Sequence, residues 1–230
     1  MSFVTFWNNT VRVVTRYGML FVSGTLSTLW LSFVTVLVGT IIGGLIALVR
    51  MKSAEKKLLA PVKWITTAYV EVIRGTPMLL QLYISYFLLP DIMPFAMSER
   101  TCILLALCLN SSAYVSEIIR AGIQAVDRGQ TEAARCLGLS AGQAMTKVVL
   151  PQAVKNILPA LCNEFVTIIK ETSLASTFFI GDLMTTYKTI SAAIYLNLEP
   201  LVMIGIIYFF LSFTLSKAIA MLERRLHAGD

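Results

Sequence analysis

The chain has 230 residues, of which 57% are hydrophobic and only 14% charged, with a mean hydropathy of +0.75. That balance excludes an ordinary soluble domain, in which about a quarter of residues are charged. The formal net charge of +6 does not signal nucleic acid, because the cations flank apolar runs; the preference of Lys and Arg for the cytoplasmic side of a membrane accounts for them.

The first residues include Phe3, Phe6, Trp7, Arg12 and Arg16 without a basic start leading into a short apolar block. A surface helix is therefore expected over 1–24, and no cleavable signal. Apolar runs then predict five membrane helices at about 25–49, 64–89, 101–122, 157–180 and 200–222, each near the ~20 residues that a bilayer requires. One polytopic all-α membrane domain over 25–223 follows, with a polar tail at 224–230.

Loop charges set the expected sidedness. Between the first two helices Arg50, Lys52, Lys56, Lys57 and Lys63 face only Glu55; between the third and fourth, Arg120, Arg128, Arg135, Lys147 and Lys155 outnumber Asp127 and Glu132. Both loops are expected in the cytoplasm. The other two, with Asp91, Glu99 and Arg100, and with Asp182, Lys188 and Glu199, are leaner in cations. The N-terminus is then outside and the C-terminus inside, with Arg12 and Arg16 pulling mildly the other way. In the first helix Gly39 and Gly43, with Gly44 adjacent, let another backbone approach closely, either within the chain or from a second copy.

The second helix carries Glu71, Arg74, Gly75, Thr76, Pro77 and Gln81 in an apolar setting. Glu71 and Arg74 have the spacing of an ion pair, while Pro77 leaves the carbonyl of Ile73 without its usual donor and predicts a kink. The third helix ends in Asn110, Ser111, Ser112, Tyr114, Glu117 and Arg120. Glu117 and Arg120 are spaced to pair or to snorkel at the membrane boundary; Ser111 and Ser112 receive no role.

The fourth helix places Asn163, Glu164, Lys170 and Glu171 at depths where a charge costs about 2.5 to 3.5 kcal/mol on insertion scales. At 100° per residue Glu164 and Glu171 fall within roughly 20° of one face, with Asn163, Thr167 and Lys170 on the neighbouring stripe. Such a set suits one polar cavity, its carboxylates meeting an ammonium and Lys170 meeting a carboxylate or neutralising Glu171. An internal salt network that only holds helices together is the alternative.

Catalytic and metal sites are not expected. Cys102, Cys108, Cys136 and Cys162 lack the paired spacing of metal ligands. The chain has no GxxxxGK[ST] phosphate loop and no HExxH, and its single histidine, His227, lies in the tail. No cofactor is expected on this chain, and no ATP hydrolysis by it.

The most specific signal is polar and lies at 127–156. Glu132, Ala133, Ala134 and Arg135 favour a short helix, Gly138 permits a sharp reversal, and a second helix begins near Ser140 with Ala144, Val148 and Ile157 at helical spacing, disturbed at Pro151. A compact knob is expected. This segment resembles the EAA loop of ABC-importer permeases: Glu132, Ala133 and Ala134, then Gly138, then Leu150 and Pro151, with Val148 where that family usually has isoleucine. Arg74, Gly75, Thr76 and Pro77 with Leu79 and Gln81, the run from Asn110 to Gly122, and the stretches Asn163-Glu164-Phe165 and Lys170-Glu171-Thr172-Ser173-Leu174 are similar to the polar amino acid group of those permeases.

The resemblance implies an ABC type I importer permease fold in the cytoplasmic membrane of a prokaryote. It implies a knob in which Glu132, Ala133, Ala134 and Gly138 serve ATPase coupling, and substrate contacts from Glu164, Glu171, Asn163, Lys170, Thr76 and Gln81. Implied partners are ABC ATPase subunits that bind ATP and Mg, a second permease chain, identical or homologous, an extracellular amino-acid-binding protein and the lipid bilayer. An ion-coupled carrier or channel without an ATPase is the alternative, and a purely structural membrane subunit is another; neither has use for a docking knob.

Overall fold

A computed structural model describes residues 3–52 and 60–227. Glu55, Lys56 and Lys57 of the first expected cytoplasmic loop, and the tail from 228, lie outside the described residues. The described residues are nearly all helical and contain no strand. In chain order the helices are α1 (Phe3–Lys52), α2 (Ala60–Gly75), α3 (Met78–Ile92), α4 (Glu99–Gln124), α5 (Arg128–Cys136), α6 (Ala141–Ala144), α7 (Leu150–Glu171), α8 (Leu183–Ile194) and α9 (Leu198–His227). A π-helical turn, Met145–Val149, joins α6 to α7, and a 3-10 segment, Thr172–Phe178, follows α7. Helices α1, α4 and α9 are long and apolar enough to cross a membrane, and the broken pair α2 and α3 makes a fourth span if counted together.

Helix boundaries differ from the sequence expectation: α7 begins at Leu150 where the fourth helix was expected from 157, α8 occupies a stretch expected as a loop, and three further differences have a local cause. The expected surface segment is not separated from the first membrane helix: α1 runs unbroken for 50 residues, a contour of about 75 Å against a hydrocarbon core of about 30 Å. The expected second helix is interrupted at Thr76 and Pro77. Pro77 cannot donate, and the Thr76 hydroxyl instead donates to the carbonyls of Val72 (2.9 Å) and Ile73 (3.4 Å). The expected fourth helix stops at Glu171, and the chain tightens into the 3-10 segment, which ends at Phe179 in the left-handed region (φ 51°).

Two compact units share these helices. The first comprises the residues up to Thr35, Met78–Leu107 and Val166–Leu215. Its core joins Leu31, Leu82, Ile103, Leu107, Ala175 and Phe178, and a second cluster joins Val13, Phe21, Leu183, Ile190 and Ile204. Short polar side chains tie the backbone where helices begin: Asp182 caps α8 by accepting the amides of Met184 (2.9 Å) and Thr185 (3.3 Å), and Thr28 accepts the amide of Leu183 (3.0 Å). The buried carboxylate of Glu199 accepts from Asn9 at 2.8 Å.

The second unit comprises Val36–Pro77, Cys108–Phe165 and the residues from Ser216. Here α1 lies hard against α4. A Cβ at Gly39 would fall 2.8 Å from the Ser111 hydroxyl, and one at Gly43 would fall 2.6 Å from the carbonyl oxygen of Ser112. Gly39 and Gly43 therefore admit a helix of the same chain. Tyr69 of α2 binds α4 through its hydroxyl, which donates to the Leu109 carbonyl and meets the Ser112 hydroxyl, each at 2.7 Å. Between these polar ties the outward residues Ile41, Leu45 and Leu48 of α1 are more than half exposed, the pattern of a helix face turned to lipid.

Substituting Gly43→Ala should lower the thermal unfolding midpoint of the detergent-solubilised chain, because the opposing atom belongs to the backbone and overpacking costs about 1–3 kcal/mol. Gly18→Ala, where a Cβ meets nothing within 4 Å, should leave the midpoint unchanged or raise it, by up to ~1 kcal/mol of helix propensity. Equal midpoints for the two variants would refute the close α1–α4 contact.

Candidate functional site

The polar knob is assembled by local hydrogen bonding. Asp127 caps α5 by accepting the amide of Gly129 at 2.6 Å. At the other end the amide of Gly138 donates to Arg135 (3.1 Å) and that of Leu139 to Ala134 (3.2 Å), the pair of bonds that closes a helix through a left-handed residue. Gly138 supplies that residue, with φ +86° and open space around it, so what requires glycine here is backbone conformation and not crowding. Ser140 then opens α6 with a capping box: it accepts the amide of Gln143, whose side chain accepts the amide of Ser140. The missing donor of Pro151 is accommodated upstream, where the amide of Leu150 reaches back five residues to Met145 and makes the π turn.

Of the expected coupling residues, Glu132, Ala133 and Gly138 are exposed, while Ala134 is buried at 4% exposure. Ala134 thus packs the knob together and its neighbours present the surface. Leu137, which the sequence reading left without a role, is 84% exposed at the reversal. Its signal lay in its position beside Gly138, where a helix has just ended and an apolar side chain has nothing to cover it. Gln152 of α7 donates to Gln130 of α5 at 3.2 Å and to the Val148 carbonyl at 3.1 Å, stapling the two arms.

The six expected substrate contacts are shared between the units. Thr76, Asn163 and Glu164 belong to the second; Gln81, Lys170 and Glu171 belong to the first. Glu164 is buried at 8% exposure and accepts from Ser111 of α4 at 3.2 Å, which gives Ser111 the partner that the sequence did not assign. Asn163 and Lys170 are exposed, and Gln81 and Glu171 are half-buried. The Thr76 hydroxyl is turned back onto its own helix, as described above.

The strongest electrostatic feature is Glu117. Arg120 donates to it from Nε (2.9 Å) and Nη2 (2.6 Å), Arg50 of α1 donates to its other oxygen, and Arg74 of α2 approaches to 3.7 Å. The spacing of Glu117 and Arg120 had indicated that pair. Among the described residues no ion pair joins Glu71 to Arg74; Arg74 faces Glu117 and lies over the ring of Tyr114 at 5.4 Å. Arginine keeps its charge at any working pH, so an aromatic face and a second-unit carboxylate hold it better than the exposed Glu71 on its own helix.

Comparison with known proteins agrees with this layout. The family model described as binding-protein-dependent transport system inner membrane component matches residues 39–228. The chain is 42% identical over 203 residues to the arginine transport system permease protein ArtQ of Bacillus subtilis, covering 88% of this chain and 90% of that one. It is 38% identical over 206 residues to the putative glutamine transport system permease protein GlnP of Rickettsia bellii, covering 89% and 92%. A crystal structure of an amino acid ABC transporter with histidines superposes with a TM-score of 0.86 at 45% identity, over 92% of this chain and 96% of that one.

Gly138→Ala should expose the knob to cleavage, since an L-residue in the left-handed region costs roughly 1–2 kcal/mol. Limited proteolysis of the purified chain is expected to cut near 136–140 several times faster than in the wild type. Gly142→Ala, inside α6 with open space around it, should be cut at the wild-type rate; the same rate in all three proteins would contradict the assigned role of Gly138.

Proposed function

Because the chain belongs to the family of binding-protein-dependent transport system inner membrane components, we propose that it is the membrane-embedded permease subunit of an ATP-driven importer for a polar amino acid. The observation that carries the coupling half is the knob: a rigid, capped reversal whose exposed Glu132, Ala133 and Leu137 face away from the packed core. A channel or an ion-coupled carrier has no use for such an element. The substrate half is supported by relatives named for arginine and glutamine transport and by the amino acid transporter of the same fold.

On this reading the domain is the 25–223 core, the N-terminus is outside and the C-terminus in the cytoplasm of a prokaryotic cell. The cation-rich loops that include the knob then face separate ATPase subunits, which hold ATP and Mg. A second permease chain completes the pathway, and an extracellular binding protein delivers the amino acid. ATP-driven closure of the ATPases pushes on Glu132, Ala133, Leu137 and the backbone at Gly138, and the helices that continue from the knob reorient between outward and inward access. Glu164 and Glu171 suit the substrate's ammonium, Lys170 its carboxylate, and Asn163, Thr76 and Gln81 supply neutral hydrogen-bonding partners.

Proteoliposomes containing the chain, its partner permease and its ATPase, supplied with the binding protein, should accumulate amino acid only with ATP, and competition among cationic, anionic and amide amino acids should identify the preferred class. Accumulation without any ATPase would overturn the reading. Leu137→Asp should abolish substrate-stimulated ATP hydrolysis while the permease still folds, since a charge replaces an apolar contact of the docking surface. Glu164→Gln should reduce uptake about tenfold or more, the scale expected when one partner of a desolvated charge pair is removed; unchanged uptake and affinity would remove Glu164 from the pathway.

A further inference from the structure

Around Glu117 positive charge outnumbers negative. Its single carboxylate is shared by Arg50, Arg74 and Arg120, and among the described residues no other carboxylate pairs with these three. The side chain of Arg50 is 17% exposed, against 44% for Arg74 and 40% for Arg120, so water and salt screen the charge of Arg50 less than on an open surface. Among the described residues, two guanidinium charges therefore lack a carboxylate partner.

Beside the cluster lies a cavity of about 370 Å³. Arg50, Arg120 and Lys63 line it together with Ala47, Met51 and Ile123, and among the described residues none of its lining is acidic. Arg120 is held in place by its bonds to Glu117 and by a bond from Nη1 to Gln124 at 2.6 Å, while Lys63 is exposed and stands outside the Glu117 cluster. Neither the ATPase knob nor the substrate contacts use this cavity.

We propose that the cavity binds a phosphate group, and that its source is the headgroup of an anionic phospholipid. Guanidinium forks and an ammonium are the donors that phosphate oxygens select. Basic pockets between membrane helices at the membrane surface take anionic headgroups. The apolar wall of Ala47, Met51 and Ile123 shelters the glycerol and first acyl carbons, which a free phosphate does not possess. The lipid supplies the anion that Glu117 alone does not, and it does so where α1, α2 and α4 converge. This inference concerns a site apart from transport and holds whichever amino acid is carried.

The test uses the full chain in zwitterionic detergent, titrated in turn with phosphatidylglycerol, phosphatidylcholine and inorganic phosphate and read by native mass spectrometry. Phosphatidylglycerol should be retained about tenfold better than phosphatidylcholine, the difference being its net charge. Lys63→Gln should lower that retention about fivefold, the contribution of one cation near a charged headgroup. Glu117→Gln removes the anion that competes for the same guanidiniums and should raise retention severalfold. Equal retention of the two lipids, or equal retention by wild type and Lys63→Gln, overturns the proposal even if Glu117→Gln does not fold. Displacement of phosphatidylglycerol by millimolar inorganic phosphate overturns the lipid assignment in favour of a soluble phosphate.

Discussion

A polar backbone group carried out of water has to be met by the chain itself, and the irregularities of this protein are the places where the ladder alone does not meet it. At Pro77 the substitute donor is the hydroxyl of the residue before it, Thr76. At Pro151 the helix instead lengthens one hydrogen bond, from Leu150 to Met145, and absorbs the proline without a break. Gly138 closes α5 through two tightly specified bonds, and Asp182 collects the first amides of α8. At Pro77 and at the start of α8 a short side chain does the repair, whereas at Pro151 and Gly138 the backbone does it through its own hydrogen bonds.

The same constraint, applied to charge, separates three carboxylates that look alike in the sequence. Glu199 is 2% exposed and bonded to the amide of Asn9, a neutral tie between the two ends of the first unit. Glu164 is nearly as buried and takes a hydroxyl from Ser111 of α4. Glu117 has three arginines and more positive charge than it can balance. Glu199 and Glu164 are buried and Glu117 only partly so, and it is Glu117 whose partners are arginines.

The sequence made local features legible and distant ones not. Apolar run length identified the membrane class, and short-range chemistry located the reversal at Gly138, the helix start at Ser140, the break at Pro77 and the Glu117–Arg120 pair, because each depends on residues within four positions. The convergence of Arg50 and Arg74 on Glu117 depends on how helices are rotated against one another, which periodicity does not encode once a helix is apolar nearly all round. That is also why Glu71 looked like the partner of Arg74, and why Gly39 and Gly43 indicated close packing, more readily than dimerisation, without naming the helix they meet. The 3-10 segment after Glu171 has no proline or glycine to announce it, so a continuous helix was the natural expectation there.

In the second unit the knob is continuous with the helices on either side of it. Helix α4 leads into α5, and α7 leaves the knob through the π turn, so both arms of the knob continue directly into apolar helices. Those helices are locked to each other at two heights: a Cβ at Gly122 would fall 2.4 Å from the side chain of Ile157, and Ser111 holds Glu164. A force that slid α7 along α4 would have to break the buried Ser111–Glu164 hydrogen bond and drag the Ile157 side chain out of the space that Gly122 leaves for it. Tilting the pair together breaks neither. Within the second unit the packing therefore ties the part of α7 that carries Glu164 to the facing part of α4.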